Sequence, residues 1–82
     1  MPYIDDKRRV ELGEGEPPES SGDLNYLISN MFNRYLIREG LTYSTINELV
    51  GVLECAKLEL YRRVAALYED KKCATNGDVY TV

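Results

Sequence analysis

An apolar pattern from Thr45 to Thr75, with no strong helix breaker until Asn76-Gly77, constrains the fold more than any other sequence feature. Within it, two series of apolar or small residues recur every seven positions: Ile46, Leu53, Leu60 and Leu67, and then Gly51, Leu58 and Ala65. Seven residues approximate two helical turns, so each series marks one helix face, and the two faces lie about 140° apart at ~100° per residue. The pattern predicts a helix over about 45–72 with two apolar faces, which needs two packing partners.

A second amphipathic helix is predicted over about 23–39. Ser21 or Asp23 can cap its start, and Gly40 is suited to end it. The helix that follows is expected to open with a capping box over 45–48. Because the connection is short, the two helices should form an antiparallel hairpin within 23–75. The apolar residues of the first helix follow the i, i+3, i+4, i+7 spacing: Leu24, Leu27, Ile28, Met31, Phe32, Tyr35 and Leu36.

Three shorter segments complete the predicted organisation. Residues 1–12 form an amino-terminal arm, in which a short helix after Asp5 needs docking because it has few apolar residues. Residues 13–22 are a linker rich in Gly, Pro and Glu. Residues 76–82 begin with turn formers and continue with alternating strand formers, which predicts an extended tail.

Chain length favours assembly into an oligomeric helical bundle. A domain of 82 residues buries a thin core on its own. The longer helix would span roughly 39 Å and the shorter one roughly 25 Å, which leaves part of the longer helix without a neighbour. A second subunit would cover the surface predicted for the oligomer interface: Gly51, Cys55, Leu58 and Ala65. The alternative is that the arm and the tail fold back over that surface.

Composition and charge exclude several kinds of catalytic and binding site. The chain has no histidine, so imidazole-based catalysis is excluded, and Cys55 and Cys73 are too few for a zinc site within one chain. Lys71 and Lys72 are expected to lower the pKa of Cys73 modestly. A net charge of −4 argues against binding of long nucleic acids. The sequence has neither a secretion signal nor a membrane span, which predicts a cytoplasmic protein that does not bind membranes. We expect no bound metal or cofactor, because the sequence lacks a zinc-ligand set and a glycine-rich phosphate-binding motif.

Carboxylates are the remaining catalytic candidates. Helical nucleotide pyrophosphohydrolases hold magnesium with paired acidic motifs, but Glu54 and Glu59 are five positions apart and point to different sides of the helix. Metal-dependent nucleotide hydrolysis is therefore only a lesser alternative. We expect no catalytic residues, and Glu54 with Lys57, like Glu59 with Arg62, is interpreted as a surface ion pair.

Seven tyrosines, against one phenylalanine and no tryptophan, suggest a binding surface. Tyr61 and Tyr68 are seven apart and are expected on one side of the helix, next to cations. Aromatic faces beside cations can hold a nucleotide by stacking and phosphate contacts. The alternative is that these rings line the subunit interface. The candidate ligand-binding residues are Tyr61, Arg62, Arg63, Tyr68 and Lys72, with Tyr3 and Lys7 from the arm.

The chain resembles a family of small uncharacterised proteins of phages and bacteria. The resemblance rests on the start Met-Pro-Tyr-Ile, the Glu54-Cys55-Ala56-Lys57 and Tyr61-Arg62-Arg63-Val64 stretches, and the Asn76-Gly77-Asp78-Val79-Tyr80 end. The resemblance implies no activity. The acidic Gly/Pro linker of residues 13–22 departs from the family pattern, in which more helix is expected.

Together these observations favour a non-enzymatic, oligomeric binding protein. The preferred specific function is sequestration of a small anionic nucleotide that signals host defence, in the host cytoplasm if a phage encodes the protein. The alternatives are an inhibitor that acts by protein–protein interaction and a structural assembly protein.

Overall fold

The structure, a computed structural model, describes residues 4–82, so Tyr3 lies outside the described part of the chain. Those residues form four α-helices and one π-helical turn, and none of them lies in a strand. The all-α prediction is confirmed. The chain divides into two compact units, Met1–Ile46 and Asn47–Val82. Packing of the two predicted helices as an antiparallel hairpin stays a prediction.

The first unit contains helices α1 (Asp6–Gly13) and α2 (Ser21–Glu39). The Asp5 carboxylate caps α1 by accepting from the Arg8 backbone N–H at 2.9 Å. Ser20 rather than Ser21 or Asp23 caps α2, because its Oγ accepts from the Asp23 backbone N–H at 3.1 Å. The helix therefore starts two residues earlier than predicted.

A partly buried ion pair between Arg8 and Asp23 docks α1 on α2. Arg8 donates to Asp23 Oδ2 from Nε at 3.0 Å and from Nη2 at 2.7 Å. Arg8 Nη2 also donates to the Pro17 carbonyl at 2.9 Å, and the Glu19 backbone N–H donates to Asp23 Oδ2 at 2.9 Å. Beside this cluster Leu12 is 5% exposed, the only buried apolar side chain among residues 4–82. The arm helix is thus held chiefly by polar contacts that also fix the linker.

The ion pair sets the ionisation of its members. Asp23 is 3% exposed, and its hydrogen bonds with Arg8 and the Glu19 backbone N–H hold its carboxyl pKa below the usual range. The Asp23 carboxylate in turn raises the pKa of the Arg8 guanidinium. Both groups therefore stay charged, and their hydrogen bonds compensate for their loss of water.

A reciprocal pair of threonines opens helix α3 (Tyr43–Leu60). The Thr45 backbone N–H donates to Thr42 Oγ1 at 3.2 Å, and the Thr42 backbone N–H donates to Thr45 Oγ1 at 3.1 Å. Thr45 Oγ1 also donates to the Gly40 carbonyl at 2.7 Å. The predicted capping box over 45–48 was therefore three residues too late. A threonine replaced the usual Glu/Gln of the pattern, which hid the motif.

The long helix continues beyond α3 through a π-helical turn (Tyr61–Ala65) into α4 (Ala66–Asn76). Gly77 ends it, with φ of 85° and its N–H bonded to the Cys73 carbonyl at 2.8 Å. Gly40 ends α2 in the same way, with φ of 99° and a 2.8 Å bond to the Leu36 carbonyl. Residues 77–82 follow without regular structure. Among the described residues, no helix combines the length and apolarity that crossing a bilayer requires.

Candidate functional site

The second unit exposes almost all of its side chains. From residue 47 to residue 82 none is buried, and only Leu49, Ala65 and Ala66 are partly covered. Since buried apolar area is the main stabilising contribution to folding, this segment has no core of its own. Its apolar residues are available to other molecules.

A shallow apolar groove runs along the middle of this helix. It is lined by Cys55, Leu58, Glu59, Tyr61, Arg62 and Ala66. Arg62 Nη2 lies 3.3 Å from Glu59 Oε2, and Arg63 Nη1 lies 3.8 Å from Glu59 Oε1. Both ion pairs are exposed, so they are worth well under ~1 kcal/mol each, and the Arg62 guanidinium can leave Glu59 for a stronger anion.

The π turn changes which residues share a face. It holds one more residue than an α-helical turn, so residues after 65 lag by about one position, or ~100°. The Tyr61 hydroxyl therefore meets Glu69 Oε2 at 3.4 Å, eight positions along the chain. The prediction that Tyr61 and Tyr68 lie on one side was wrong because it assumed an uninterrupted α-helix.

The same shift straightens an apolar stripe, which consists of Leu53, Leu60, Val64 and Tyr68. Steps of four from residue 60 to 64 and from 64 to 68 would drift by about 80° in an α-helix, and the lag of the π turn cancels this drift. These side chains are 45–62% exposed. Leu67, which continues the predicted seven-residue series, is carried about 100° away from the stripe.

The predicted ligand-binding residues fall into separate groups. Tyr61 and Arg62 share the groove. Lys72 Nζ lies 5.4 Å from the centroid of the Tyr68 ring, on the stripe. Arg63 does not line the groove, and Lys7 is exposed on α1 in the other unit.

The predicted interface residues are also rearranged. Cys55 and Leu58 line the groove, but Ala66 rather than Ala65 joins them, again because of the π turn. The space where a Gly51 side chain would be is open, with no atom within 4 Å. None of residues 4–82 therefore approaches Gly51 closely, and approach by another copy stays a prediction.

Two features of the described residues concern thiols and metal ligands. Cys55 and Cys73 are both free and exposed. Desolvation and the nearby Asp78 and Asp70 carboxylates raise the pKa of Cys73, so the expected lowering by lysines was wrong. Across residues 4–82, no three His, Cys, Asp or Glu residues are grouped closely enough to hold a metal ion.

Sequence reasoning missed Glu69, Ala66 and the π turn itself. One pattern could have revealed the turn: the stripe leaves a spacing of seven and takes two consecutive spacings of four after Leu60. Such a spacing is typical of one inserted residue in a helical repeat.

Comparison with known proteins supports one part of the resemblance, membership of an uncharacterised family. Neither curated proteins nor solved structures gave a match. A family profile matches residues 1–79, nearly the whole chain. The chain therefore belongs to the family described as a domain of unknown function, DUF6899.

Proposed function

We propose that this protein is a non-enzymatic binding protein whose copies assemble into a helical bundle and hold a small anionic nucleotide. One observation carries the proposal: the helix beyond residue 46 combines a largely exposed apolar surface with the Tyr61–Arg62 groove. Apolar surface on this scale is typical of protein–protein association.

The exposed area supports self-association. The apolar side chains Leu53, Leu58, Leu60 and Val64 are each 45–62% exposed. A stable interface covers ~800 Å² on each partner, and apolar side chains of this kind form its centre. Within the bundle, antiparallel packing of α2 against the long helix would cover further apolar surface.

The groove fits the proposed ligand. Its apolar floor and the Tyr61 ring offer a surface for a flat base, and the Arg62 guanidinium offers a planar pair of donors for a phosphate. With a net charge of −4 the protein repels an extended polyanion, so a compact nucleotide is favoured over a long nucleic acid.

The proposed role is stoichiometric capture. A protein that binds a nucleotide without converting it lowers the free concentration of that nucleotide in proportion to its own abundance. In a phage-type setting the captured nucleotide is a signal of host defence, and the site of action is the host cytoplasm.

Calorimetric titration with a panel of cyclic dinucleotides and linear mononucleotides tests the ligand. We expect one class to bind, to weaken at least tenfold in Arg62→Gln, and to elute chemically unchanged after release. Lys71→Gln is the matched control, because it removes the same charge outside the groove. No binding at high micromolar concentration, or a converted nucleotide, would overturn the assignment.

A second candidate function, that of a structural assembly or interaction protein, is favoured by an exposed apolar face of α2. Leu24, Ile28 and Met31 follow helical spacing there and are 45–66% exposed. This function predicts the same assembly but no nucleotide binding. Alanine substitutions at Leu24, Ile28 and Met31, rather than Arg62→Gln, would then abolish the effect of the protein in cells.

A further inference from the structure

We propose that the stripe formed by Leu53, Leu60, Val64 and Tyr68 packs antiparallel against the same stripe of a second copy, with the two-fold axis at the π turn. This inference rests on the self-association proposed above and specifies its partner, surface and register. The stripe spans about 22 Å at 1.5 Å per residue, long enough for a continuous helix–helix contact.

The first argument is packing. When the axis passes beside Arg63, Leu60 of one copy lies between Val64 and Tyr68 of the other. Val64 then lies between Leu60 and Val64 of the second copy. Side chains that interdigitate in this way fill the spaces between facing helices. Without the π turn the stripe would curve away from a straight partner.

The second argument is charge. With the same axis, Lys57 of one copy is level with Glu69 of the other, and Lys72 is level with Glu54. The two-fold repeats each pair, so one register forms four attractive contacts. A parallel arrangement would bring opposite edges of the two stripes together, so these charges would not meet each other across the contact.

The third argument is the edge on which the charges lie. In an antiparallel two-fold pair, one edge of the stripe meets the same edge of the partner. Lys57 and Glu54 are joined at 3.0 Å on one turn, and Glu69 is held on the side of Tyr61. Helical geometry with the π lag places Lys72 on this edge too, where its ammonium group covers the Tyr68 ring. Lys57, Glu69 and Lys72 therefore lie on the edges that meet across the contact, and Glu54 is held beside Lys57 by their ion pair.

The fourth argument is burial. Each of the four stripe residues is 45–62% exposed, so a second copy that covers the stripe would bury apolar surface. Covering the stripe leaves the Tyr61–Arg62 groove open at its side, so the contact and ligand binding are compatible.

Charge reversal gives a sharp test because the paired residues cannot meet within one chain. Lys57 and Glu69 are 12 positions apart, about 18 Å along the helix, and Lys72 and Glu54 are about 27 Å apart. Recovery of association when both members of a pair are reversed must therefore come from contacts between copies.

The experiment is sedimentation equilibrium on the full chain at low salt. We expect Lys57→Glu and Glu69→Lys each to raise the dimer dissociation constant about tenfold or more, and the double variant to restore it. Mixing the two single variants should give heterodimers in preference to either homodimer. Lys71→Glu and Asp70→Lys are the controls, since they make the same charge changes at positions level with the uncharged Cys55 and Ala56 of the other copy and should shift the constant less than threefold.

The outcomes separate this inference from the proposed function. A wild-type chain that remains monomeric at high micromolar concentration would overturn both. A wild-type oligomer whose reversed variants show no mutual rescue would overturn the antiparallel register alone and leave self-association and nucleotide binding in place.

Discussion

The Tyr61 hydroxyl donates a 3.4 Å hydrogen bond to Glu69 Oε2 across eight positions of one helix. In an uninterrupted α-helix, residues eight apart point about 80° away from each other. The π turn between residues 61 and 65 removes that difference. The bond is therefore a direct marker of the register shift that decides which side chains of α4 continue the faces of α3.

The register shift predicts that Tyr68, not Leu67, takes part in self-association. Tyr68→Ala should raise the dissociation constant of the oligomer about tenfold, because it removes a large ring from the stripe. Leu67→Ala should change it less than twofold, although both residues are similarly exposed in the chain. Sedimentation equilibrium measures both, and the reverse order would mean that the helix is regular in the assembly.

The Arg8–Asp23 ion pair predicts acid sensitivity of the first unit. The stabilisation from a lowered Asp23 pKa is complete above the ordinary aspartate value of 3.8 and is lost as pH falls through the lower pKa of the folded state. Circular dichroism melts in steps from pH 6 to pH 2 should show a steeper loss in wild type than in Asp23→Asn.

Asp6→Asn is the control for that titration. Asp6 pairs with Arg9 at 2.6 Å, but its side chain is 92% exposed, so solvent screens the contact. Its removal should leave the pH profile of wild type unchanged. Equal effects of Asp6→Asn and Asp23→Asn would show that burial of the Arg8–Asp23 pair adds nothing.

Leu12 should contribute strongly to the docking of α1. Leu12→Ala removes the one buried apolar side chain among the described residues and should lower the free energy of unfolding by about 2 kcal/mol. Val10→Ala, on the exposed side of α1, should change it by less than ~0.5 kcal/mol. Urea denaturation compares the two, and faster proteolysis within residues 14–20 provides an independent measure.

Thr45 should stabilise the start of the long helix. Thr45→Ala leaves the Thr42 backbone N–H without its acceptor and the Gly40 carbonyl without its donor, at a cost of about 1–2 kcal/mol. Thr75→Ala also removes a hydroxyl bond, to the Lys71 carbonyl at 3.2 Å, but on an exposed turn where little loss is expected. Thermal unfolding of the two variants at the same protein concentration compares their losses of stability.

The apolar periodicity was enough to predict the helices but not the residues that cap them. Leu24, Ile28 and Met31 indicated α2 because apolar spacing depends on the 3.6-residue period alone. The caps depend on one or two hydrogen bonds, so Ser20 and Thr42 were missed by a few residues. The arm helix was expected to need docking, and the structure supplies that docking through Arg8.

The candidate site was harder to predict than the fold. Arg62 and Tyr61 were assigned to one surface and do share the groove, since they are the first two residues of the π turn and precede most of the register shift. Tyr68 was placed wrongly because a single inserted residue rotates everything after it. The pairing of Arg8 with Asp23 links residues 15 positions apart through a loop, and local patterns carry no information on such a contact.

The small buried apolar area of the first unit determines how its stability depends on temperature. The heat-capacity change of unfolding grows with the apolar area that becomes exposed, and this unit has one buried apolar side chain, Leu12, among its described residues. Its stability should therefore vary little with temperature and decline over a broad range. On cooling, the free energy of unfolding should also fall less in a unit stabilised by an ion pair than in one stabilised by a hydrophobic core. The reason is that hydrophobic stabilisation weakens at low temperature.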